Sequence, residues 1–193
     1  MRLMSASPVF SAVLLAGGRS SRMGTDKALL PVAGRSLWER QTDVLRMAGA
    51  REICFSVRPE QTWVPDGARV VRDAVPGAGP LAGIVAALAV CREPHLAVLA
   101  VDLPQMEPAW FKQLLARCAP GIGAVGRRDG FYEPLAAIYP RELLPASSSA
   151  LARGEYSLQR LIAAAGERMI SVEISAVEAA RFENWNEPSE AGY

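Results

Sequence analysis

Short apolar runs rich in Val, Ile and Leu alternate with longer amphipathic segments along most of the chain. This pattern is typical of a largely parallel sheet, because buried parallel strands are apolar on both faces and the segments that connect them are helices. It predicts an α/β protein, a three-layer α/β/α fold with a mostly parallel, Rossmann-like sheet. A chain of 193 residues suits a single domain, predicted to cover residues 1–193 with flexible ends at 1–7 and 189–193.

Two apolar runs predict central strands, at residues 9–15 and 96–101. Further strands are predicted at residues 53–57, 69–72, 122–125 and 169–174. An apolar stretch at 134–139 is not assigned to a helix or a strand. Helices are predicted at residues 37–47, 81–90, 108–118, 142–151 and 158–165. Ser36 is suited to cap the first of these helices and Gly49 to end it.

Both central strands end in residues suited to a ligand site. The first strand runs into Gly17 and Gly18, and the second ends at Asp102, where Pro104 stops the strand. Ligands of open α/β sheets bind outside the carboxyl ends of the strands. If the two strands are neighbours, Gly17, Gly18 and Asp102 therefore lie together at this end of the sheet, which we call the rim. The alternative for Asp102 is a structural role as a cap of the helix predicted at 108–118.

The passage after the first strand, from Leu15 to Lys27, reads Leu-Ala-Gly-Gly-Arg-Ser-Ser-Arg-Met-Gly-Thr-Asp-Lys. Its glycines let backbone amides approach an oxygen-rich ligand, and Arg19, Arg22 and Lys27 add positive charge, which together favour a polyphosphate site. The spacing excludes a P-loop and the Rossmann dinucleotide fingerprint. A surface turn with solvated arginines is the competing interpretation. For Asp26, local hydrogen bonding and metal binding are both open.

The charge balance of the chain indicates which class of partner it can bind. The 21 basic and 20 acidic residues leave a formal net charge of +1 and no basic face for nucleic acid or a membrane, so a small-molecule partner is expected. No stretch approaches the roughly 20 apolar residues that span a bilayer.

Cys54, Cys91 and Cys118 lie in apolar segments and are expected to be reduced thiols, which predicts a cytoplasmic protein. His95 is the only histidine, so a histidine-rich zinc site is excluded and a structural role is expected.

The passage from Leu15 to Lys27 is similar to the signature loop of the molybdenum cofactor guanylyltransferases, a family of nucleotidyltransferases. Three further motifs extend the resemblance in the same order, at residues 79–83 (Gly-Pro-Leu-Ala-Gly), 102–104 (Asp-Leu-Pro) and 182–188 (Phe-Glu-Asn-Trp-Asn-Glu-Pro). The resemblance implies Mg²⁺-dependent transfer of GMP from GTP to the terminal phosphate of molybdopterin or the molybdenum cofactor, with release of pyrophosphate. Gly17 favours guanine, since related cytidylyltransferases tend to carry alanine there.

The resemblance also implies roles for individual residues. Catalytic roles fall to Arg22, Lys27 and Asp102, and Mg²⁺ would be bound by Asp102, with Asp26 or Asp73 nearby. The nucleotide-binding residues would be Leu15, Ala16, Gly17, Gly18, Lys27, Ser56, Asp73 and Asp102. The acceptor-binding residues would be Gly79, Pro80, Leu81, Gly83, Asn184 and Asn186. Ser56 departs from the family, in which asparagine is frequent at this position.

Two other functions are compatible with the same residues. One keeps the reaction and changes the substrates, to CTP with molybdopterin or to a sugar phosphate. The other is a non-catalytic GTP-binding partner in molybdoenzyme maturation, which the presence of Lys27 and Asp102 disfavours. For the leading interpretation we expect a monomer that binds GTP and molybdopterin or the molybdenum cofactor and makes transient contact with molybdoenzyme maturation proteins.

Overall fold

The computed structural model describes residues 8–17, 26–72, 75 and 77–184. In this part of the chain the strands are β1 (Phe10–Leu15), β2 (Pro31–Val32), β3 (Arg35–Ser36), β4 (Ile53–Ser56), β5 (Arg69–Val71), β6 (His95–Ala100), β7 (Gly123–Arg128), β8 (Phe131–Pro140) and β9 (Met169–Glu173). The α-helices are α1 (Leu37–Ala48), α2 (Pro80–Val90), α3 (Pro108–Leu115), α4 (Leu144–Ala152) and α5 (Leu158–Ala165).

Within the described ranges, seven strands form one sheet in the order β5-β4-β1-β6-β8-β7-β9, and β2 pairs with β3 in a separate hairpin. The strands β5, β4, β1 and β6 are parallel to one another, as are β7 and β9. Strand β8 runs antiparallel to both of its neighbours. The prediction of a mostly parallel sheet is confirmed.

Helices cover both faces of this sheet. On one face, α1 and α3 pack over a core that includes Leu14, Leu45 and Phe111. On the other face, α2, α4 and α5 pack over a core that includes Val13 and Leu161. Consecutive residues of β1 therefore point into opposite cores, as expected of a central strand that is apolar on both faces. The three-layer α/β/α fold predicted from the alternating sequence pattern is confirmed.

The chain reverses its winding direction beside β1. Helix α1 lies between β1 and β4 in the chain, whereas α2 lies between β5 and β6, and β6 is on the other side of β1. Strands β1 and β6 run in parallel with Leu15 opposite Ala100, which confirms the predicted adjacency of the two strands. Their carboxyl ends meet at a topological switch point, the place where ligands of open α/β sheets bind.

The ends of α1 follow the signals in the sequence. Ser36 is the N-cap, and the carboxylate of Glu39 accepts hydrogen bonds from its amide at 2.9 Å and its hydroxyl at 2.6 Å. At the other end, Gly49 has a φ of 105°, in the left-handed region that glycine adopts without strain, and it ends the helix. The predicted cap and stop are confirmed.

The apolar stretch 134–139 belongs to β8, which is longer than the sequence pattern indicated. Strands β7 and β8 are joined by a turn at Asp129 and Gly130, both of which have positive φ. An Asp-Gly pair between two strands is a strong hairpin signal, and this turn lets β8 begin at Phe131. The hydrophobic pattern alone does not predict this hairpin, because Pro134 interrupts the alternation that indicates a strand.

Helix α3 ends earlier than predicted. It extends from Pro108 to Leu115, whereas the apolar pattern predicted residues 108–118. The amides of Arg117 and Cys118 bond to carbonyl groups three residues back, so the last predicted turn is tighter than an α-helix.

The cysteines are free thiols, as predicted. Cys54 and Cys91 are buried and Cys118 is partly buried. Burial raises the pKa of Cys54 and of Cys118 to about 12, and it also raises the pKa of Cys91. Thiols of this kind stay protonated at neutral pH and are poor nucleophiles.

His95 has the structural role that was expected. It begins β6 and is buried, and its Nε2 lies 3.1 Å and 3.0 Å from the carbonyl oxygens of Ala119 and Ile122. Because both partners can only accept, Nε2 is the protonated nitrogen. In the described ranges, the helices are too short or too polar to cross a membrane.

Candidate active site

The carboxyl end of β1 is held between its two neighbouring strands. The amide of Ala16 donates to the carbonyl oxygen of Ser56 at 2.9 Å, and the amide of Val101 donates to that of Leu15 at 3.0 Å. Val101 is followed directly by Asp102, and Ala16 by Gly17. Gly17 and the Asp102 segment therefore lie on one rim of the sheet, as the strand order predicted.

Lys27 reaches the same rim from a short 3₁₀ turn, Lys27–Leu29. Its Nζ lies 3.7 Å from Oδ2 of Asp102, and the two side chains are 19% and 27% exposed. This separation is within ion-pair range and longer than a hydrogen bond. An ammonium and a carboxylate side by side at a switch point suit a triphosphate with a cation, since the ammonium attracts phosphate oxygens and the carboxylate attracts the cation.

Asp26 fixes the turn that carries Lys27. Its Oδ1 accepts a hydrogen bond from the amide of Ala28 at 3.1 Å, and its Oδ2 accepts from the side-chain N–H groups of Gln61 and Trp63, both at 2.6 Å. Both carboxylate oxygens are thus committed to donors of the protein itself. Of the two roles considered for Asp26, these contacts support local hydrogen bonding rather than metal binding.

Helix α1 holds the two loops that approach the rim. The amide of Leu37 donates to the carbonyl oxygen of Leu30 at 3.0 Å, just after the Lys27 turn. Nε2 of Gln41 donates to the carbonyl oxygen of Leu103 at 2.5 Å, just after Asp102. Gln41 is fully buried, and a hydrogen bond in such surroundings is strongly orienting. One helix therefore sets the positions of both charged segments.

Asp102 does not cap the helix that follows it. The N-cap of α3 is Glu107, and the cap makes no side-chain hydrogen bond to the helix. The structural alternative considered for Asp102 is therefore not supported. Its carboxylate is a suitable ligand for Mg²⁺, which prefers oxygen donors and is usually bound by one or two carboxylates together with substrate phosphates.

A clustered metal site is a different possibility. Among the residues that the structure describes, no three His, Cys, Asp or Glu side chains are arranged to hold a metal ion. A single carboxylate such as that of Asp102 suits a cation that is shared between the protein and a phosphate substrate.

Ser56 and Gly83 make a tight contact behind the rim. Ser56 is buried, and a Cβ atom added to Gly83 of α2 would lie 2.5 Å from the Ser56 Oγ and 3.0 Å from Cδ2 of Leu15. Only glycine allows α2 to pack this closely on the ends of β1 and β4. Gly83 thus has a packing role, and its contact with an acceptor remains a prediction.

Replacement of Gly83 by alanine should lower the free energy of unfolding by about 1 kcal/mol, since an overpacking cost of about 2 kcal/mol is offset by about 1 kcal/mol of helix propensity. Urea unfolding would measure this loss. In a Ser56→Ala background the nearest atom is gone, so the same substitution should cost less than half as much. An equal loss in both backgrounds would contradict the proposed contact.

The residues predicted to bind an acceptor occupy different environments. Gly79 is exposed, with a φ of 67° and open space around it, and it is the N-cap of α2. Pro80 is the exposed first residue of that helix. Leu81 is fully buried in the core, so only its backbone could contact a ligand. Asn184 is exposed and lies two residues after Phe182, which packs edge-to-face on Trp110 at 5.0 Å.

Four predicted site residues lie outside the described part of the chain. They are Gly18, Arg22, Asp73 and Asn186. Their roles stay predictions.

The structure adds side chains that the sequence motifs did not include. They are Gln41, Arg58, Gln61 and Trp63. Arg58 lies beside Gly17, because a Cβ atom on Gly17 would be 3.8 Å from its Cγ. The loop 57–68, which contains three of these residues, shows no hydrophobic period and no known motif. The sequence therefore carries no clear signal for them.

The doubly wound sheet, with a lysine and a carboxylate at its switch point, defines an α/β protein whose ligand site suits a polyphosphate and a cation. The chain belongs to the family of MobA-like NTP transferase domains, whose model matches residues 12–169. It is therefore a nucleotidyltransferase.

Individual relatives agree with this family. The chain is 45% identical over 191 residues to a probable molybdenum cofactor guanylyltransferase of Opitutus terrae, covering 96% of this chain and 94% of that protein. Its fold is similar to that of molybdopterin-guanine dinucleotide biosynthesis protein A from Archaeoglobus fulgidus, with a TM-score of 0.72, 23% identity and 94% of each chain covered. It is also similar to that of Rv0371c from Mycobacterium tuberculosis in complex with manganese, with a TM-score of 0.62, 19% identity, and 88% and 89% of the two chains covered.

Proposed function

We propose that this protein transfers GMP from GTP to the terminal phosphate of molybdopterin or the molybdenum cofactor. The observation that carries the proposal is the pair of Lys27 and Asp102, 3.7 Å apart beside the end of β1. Support for the nucleotide and the acceptor comes from the Opitutus relative, which is named a probable molybdenum cofactor guanylyltransferase and shares 45% of its residues with this chain.

The reaction requires positioning and charge neutralisation rather than a nucleophilic side chain. An oxygen of the acceptor's terminal phosphate attacks the α-phosphorus of GTP and forms a new phosphoanhydride bond. The bond from the α-phosphorus to its bridging oxygen breaks, and pyrophosphate leaves with the electron pair. In-line displacements of this kind depend on preorganised donors and cations.

Each part of the rim has a role in this scheme. The backbone at Ala16 and Gly17 receives the nucleotide, with Leu15 and Ser56 nearby. Gly18 and Asp73, which lie outside the described residues, are assigned to nucleotide binding by the resemblance alone. Lys27, with Arg22, neutralises the charge that develops on the departing pyrophosphate. Asp102 would hold Mg²⁺, which when bound neutralises phosphate charge and orients the triphosphate.

The acceptor is assigned to the start of α2 and to the segment after Phe182, the two places where the resemblance implies acceptor-binding residues. Gly79 and Pro80 are exposed at the start of α2. The amides in the first turn of a helix favour an anion, which suits a terminal phosphate. The backbone of Leu81, together with Gly83, Asn184 and Asn186, completes this proposed subsite.

We further propose that the protein acts as a single-domain monomer in the cytoplasm, with transient contacts to molybdoenzyme maturation proteins. Its three cysteines are free, which suits a reducing compartment.

Pyrophosphate release by the purified protein tests the function. With GTP, Mg²⁺ and molybdopterin together, pyrophosphate should form in step with a guanine dinucleotide product detected by mass spectrometry, and omission of any one component should abolish both. CTP, ATP, UTP and sugar 1-phosphates are the parallel substrates. Strong turnover of CTP or of a sugar phosphate would reassign the substrates, and GTP binding without pyrophosphate release would identify a non-catalytic partner protein.

A further inference from the structure

The side chain of Gln61 joins three separate segments at the rim. Its Nε2 donates to the carbonyl oxygen of Ala16 at 2.9 Å and to Oδ2 of Asp26 at 2.6 Å. Its Oε1 accepts from the amide of Arg58 at 2.6 Å. One amide thus connects the end of β1, the turn that carries Lys27, and the loop after β4.

This amide has a single satisfactory orientation. Ala16 and Asp26 offer only acceptors to it, and Arg58 offers a backbone donor, so exchanging the amide oxygen and nitrogen would break all three bonds. The residue is only 8% exposed, so water does not readily replace the lost partners. Buried networks in which every group is satisfied hold their members in one arrangement.

Trp63 also donates a hydrogen bond to the carboxylate of Asp26. Its indole Nε1 donates to Oδ2 of Asp26 at 2.6 Å, and its ring stacks on Trp38 of α1 with a centroid distance of 5.7 Å and an interplanar angle of 26°. Trp38 in turn packs edge-to-face on Phe55 of β4, with ring centroids 6.2 Å apart. The indole is therefore held by the helix that also anchors the Lys27 and Asp102 loops.

We infer that Gln61 is a positioning residue which, with Trp63, acts through Asp26 to set the Lys27 ammonium against the end of β1 and Asp102. Lys27 directly follows Asp26 and begins the turn whose amide at Ala28 is bonded by the same carboxylate. A shift of Asp26 therefore moves the Lys27 backbone directly. The inference rests on the proposed nucleotidyl transfer, because it assigns to Gln61 and Trp63 the placement of a cation needed for pyrophosphate departure.

The first test compares Gln61→Leu with Gln159→Leu. Gln159 is a matched control, since its amide also bonds a backbone amide and a backbone carbonyl, both of Tyr132, at 2.9 Å and 2.8 Å. Gln61→Leu should lower kcat for pyrophosphate release at least about tenfold with a smaller change in the KM for GTP, because slight misplacement of a reacting group is costly. Gln159→Leu should leave kcat within about twofold. Equal losses in the two variants would overturn the inference.

A cycle with Lys27→Ala separates positioning from general structural damage. If Gln61 acts through Lys27, the Gln61→Leu change should have little further effect on kcat in the Lys27→Ala protein, since residues that act as a unit are not additive. The full tenfold loss in both backgrounds would show that Gln61 acts by another route. Trp63→Phe keeps an aromatic ring on Trp38 and removes the indole donor, so it should give a smaller loss with the same dependence on Lys27.

Hydrogen exchange tests the contact without any turnover. In Gln61→Leu, the amides of residues 26–30 should exchange faster than in the unsubstituted protein, whereas those of β7 and β8 should not. Unchanged exchange at residues 26–30 would overturn the inference even if the enzyme is active. If the unsubstituted protein released no pyrophosphate from any nucleotide, the proposed function would fail, and with it the catalytic part of the inference. Faster exchange at residues 26–30 in Gln61→Leu would still support the role of Gln61 in holding the turn at Asp26.

Discussion

Replacement of Lys27 by alanine is expected to lower kcat for GTP-dependent pyrophosphate release by about 100- to 1,000-fold, the usual effect of removing one preorganised donor from a developing charge. The ammonium lies 3.7 Å from Asp102, on a turn whose two ends are hydrogen-bonded to Asp26 and α1. It is therefore in place before substrate binds. The KM for GTP should change much less than kcat, because the charge that Lys27 neutralises grows as pyrophosphate departs.

The chain offers a matched control for this substitution. Lys112 is the only other lysine in the sequence, and it is exposed on α3. Lys112→Ala should leave kcat and KM unchanged. A loss confined to KM in Lys27→Ala would mean that Lys27 binds ground state and transition state equally. A kcat close to that of the unsubstituted enzyme would remove Lys27 from the mechanism.

The rim was predictable because its position depends on strands whose sequence signal is strong. β1 and β6 are apolar on both alternating faces, which predicts from the sequence alone that both are central strands. Ligand sites of such sheets lie at the carboxyl ends of the strands, so the positions of Gly17 and Asp102 follow from the strand order. The convergence of Lys27 on Asp102 agrees with this reasoning.

The hydrogen bonds that hold the rim residues in place could not be predicted in this way. Gln61 is 45 residues from Ala16 and 35 from Asp26, so its hydrogen bonds join segments that are distant in the sequence. Local sequence patterns report on periodicity and on turns, and a buried amide in a polar loop has neither. Similarly, Gln41 carries no signal that distinguishes it from an exposed helix glutamine, although it is fully buried against Leu103.

The antiparallel direction of β8 has a signal in the sequence. Asp129 and Gly130 form the two-residue turn between β7 and β8, and an Asp-Gly pair favours this kind of hairpin. The mixed character of the sheet follows from that turn. Because β8 pairs with β6, the residues before 135 extend past the end of β6 on the side of Asp102. This extension of β8 depends on a tertiary pairing that the broken alternation at Pro134 obscures.

Asp102→Asn is the second substitution with a large expected effect. It keeps the size and polarity of the side chain and removes the charge that would hold Mg²⁺, so kcat should fall by about 1,000-fold or more at a Mg²⁺ concentration that saturates the unsubstituted enzyme. Raising Mg²⁺ should recover part of the activity if the loss is in cation binding. Pyrophosphate release measured across a Mg²⁺ titration gives both quantities.

Stability distinguishes this chemical effect from a structural one. The Lys27–Asp102 pair is partly exposed and longer than a hydrogen bond, so its loss should change the free energy of unfolding by less than about 1 kcal/mol. Asp43→Asn is the matched control, since among the described residues the ion-pair partners of Asp43 are Arg35 at 2.7 Å and Arg46 at 2.8 Å, neither of which is a predicted site residue. It should leave turnover and its Mg²⁺ dependence unchanged. If Asp102→Asn instead unfolded readily while the remaining folded enzyme kept its turnover, Asp102 would be a structural residue, and the cation would have to be held elsewhere.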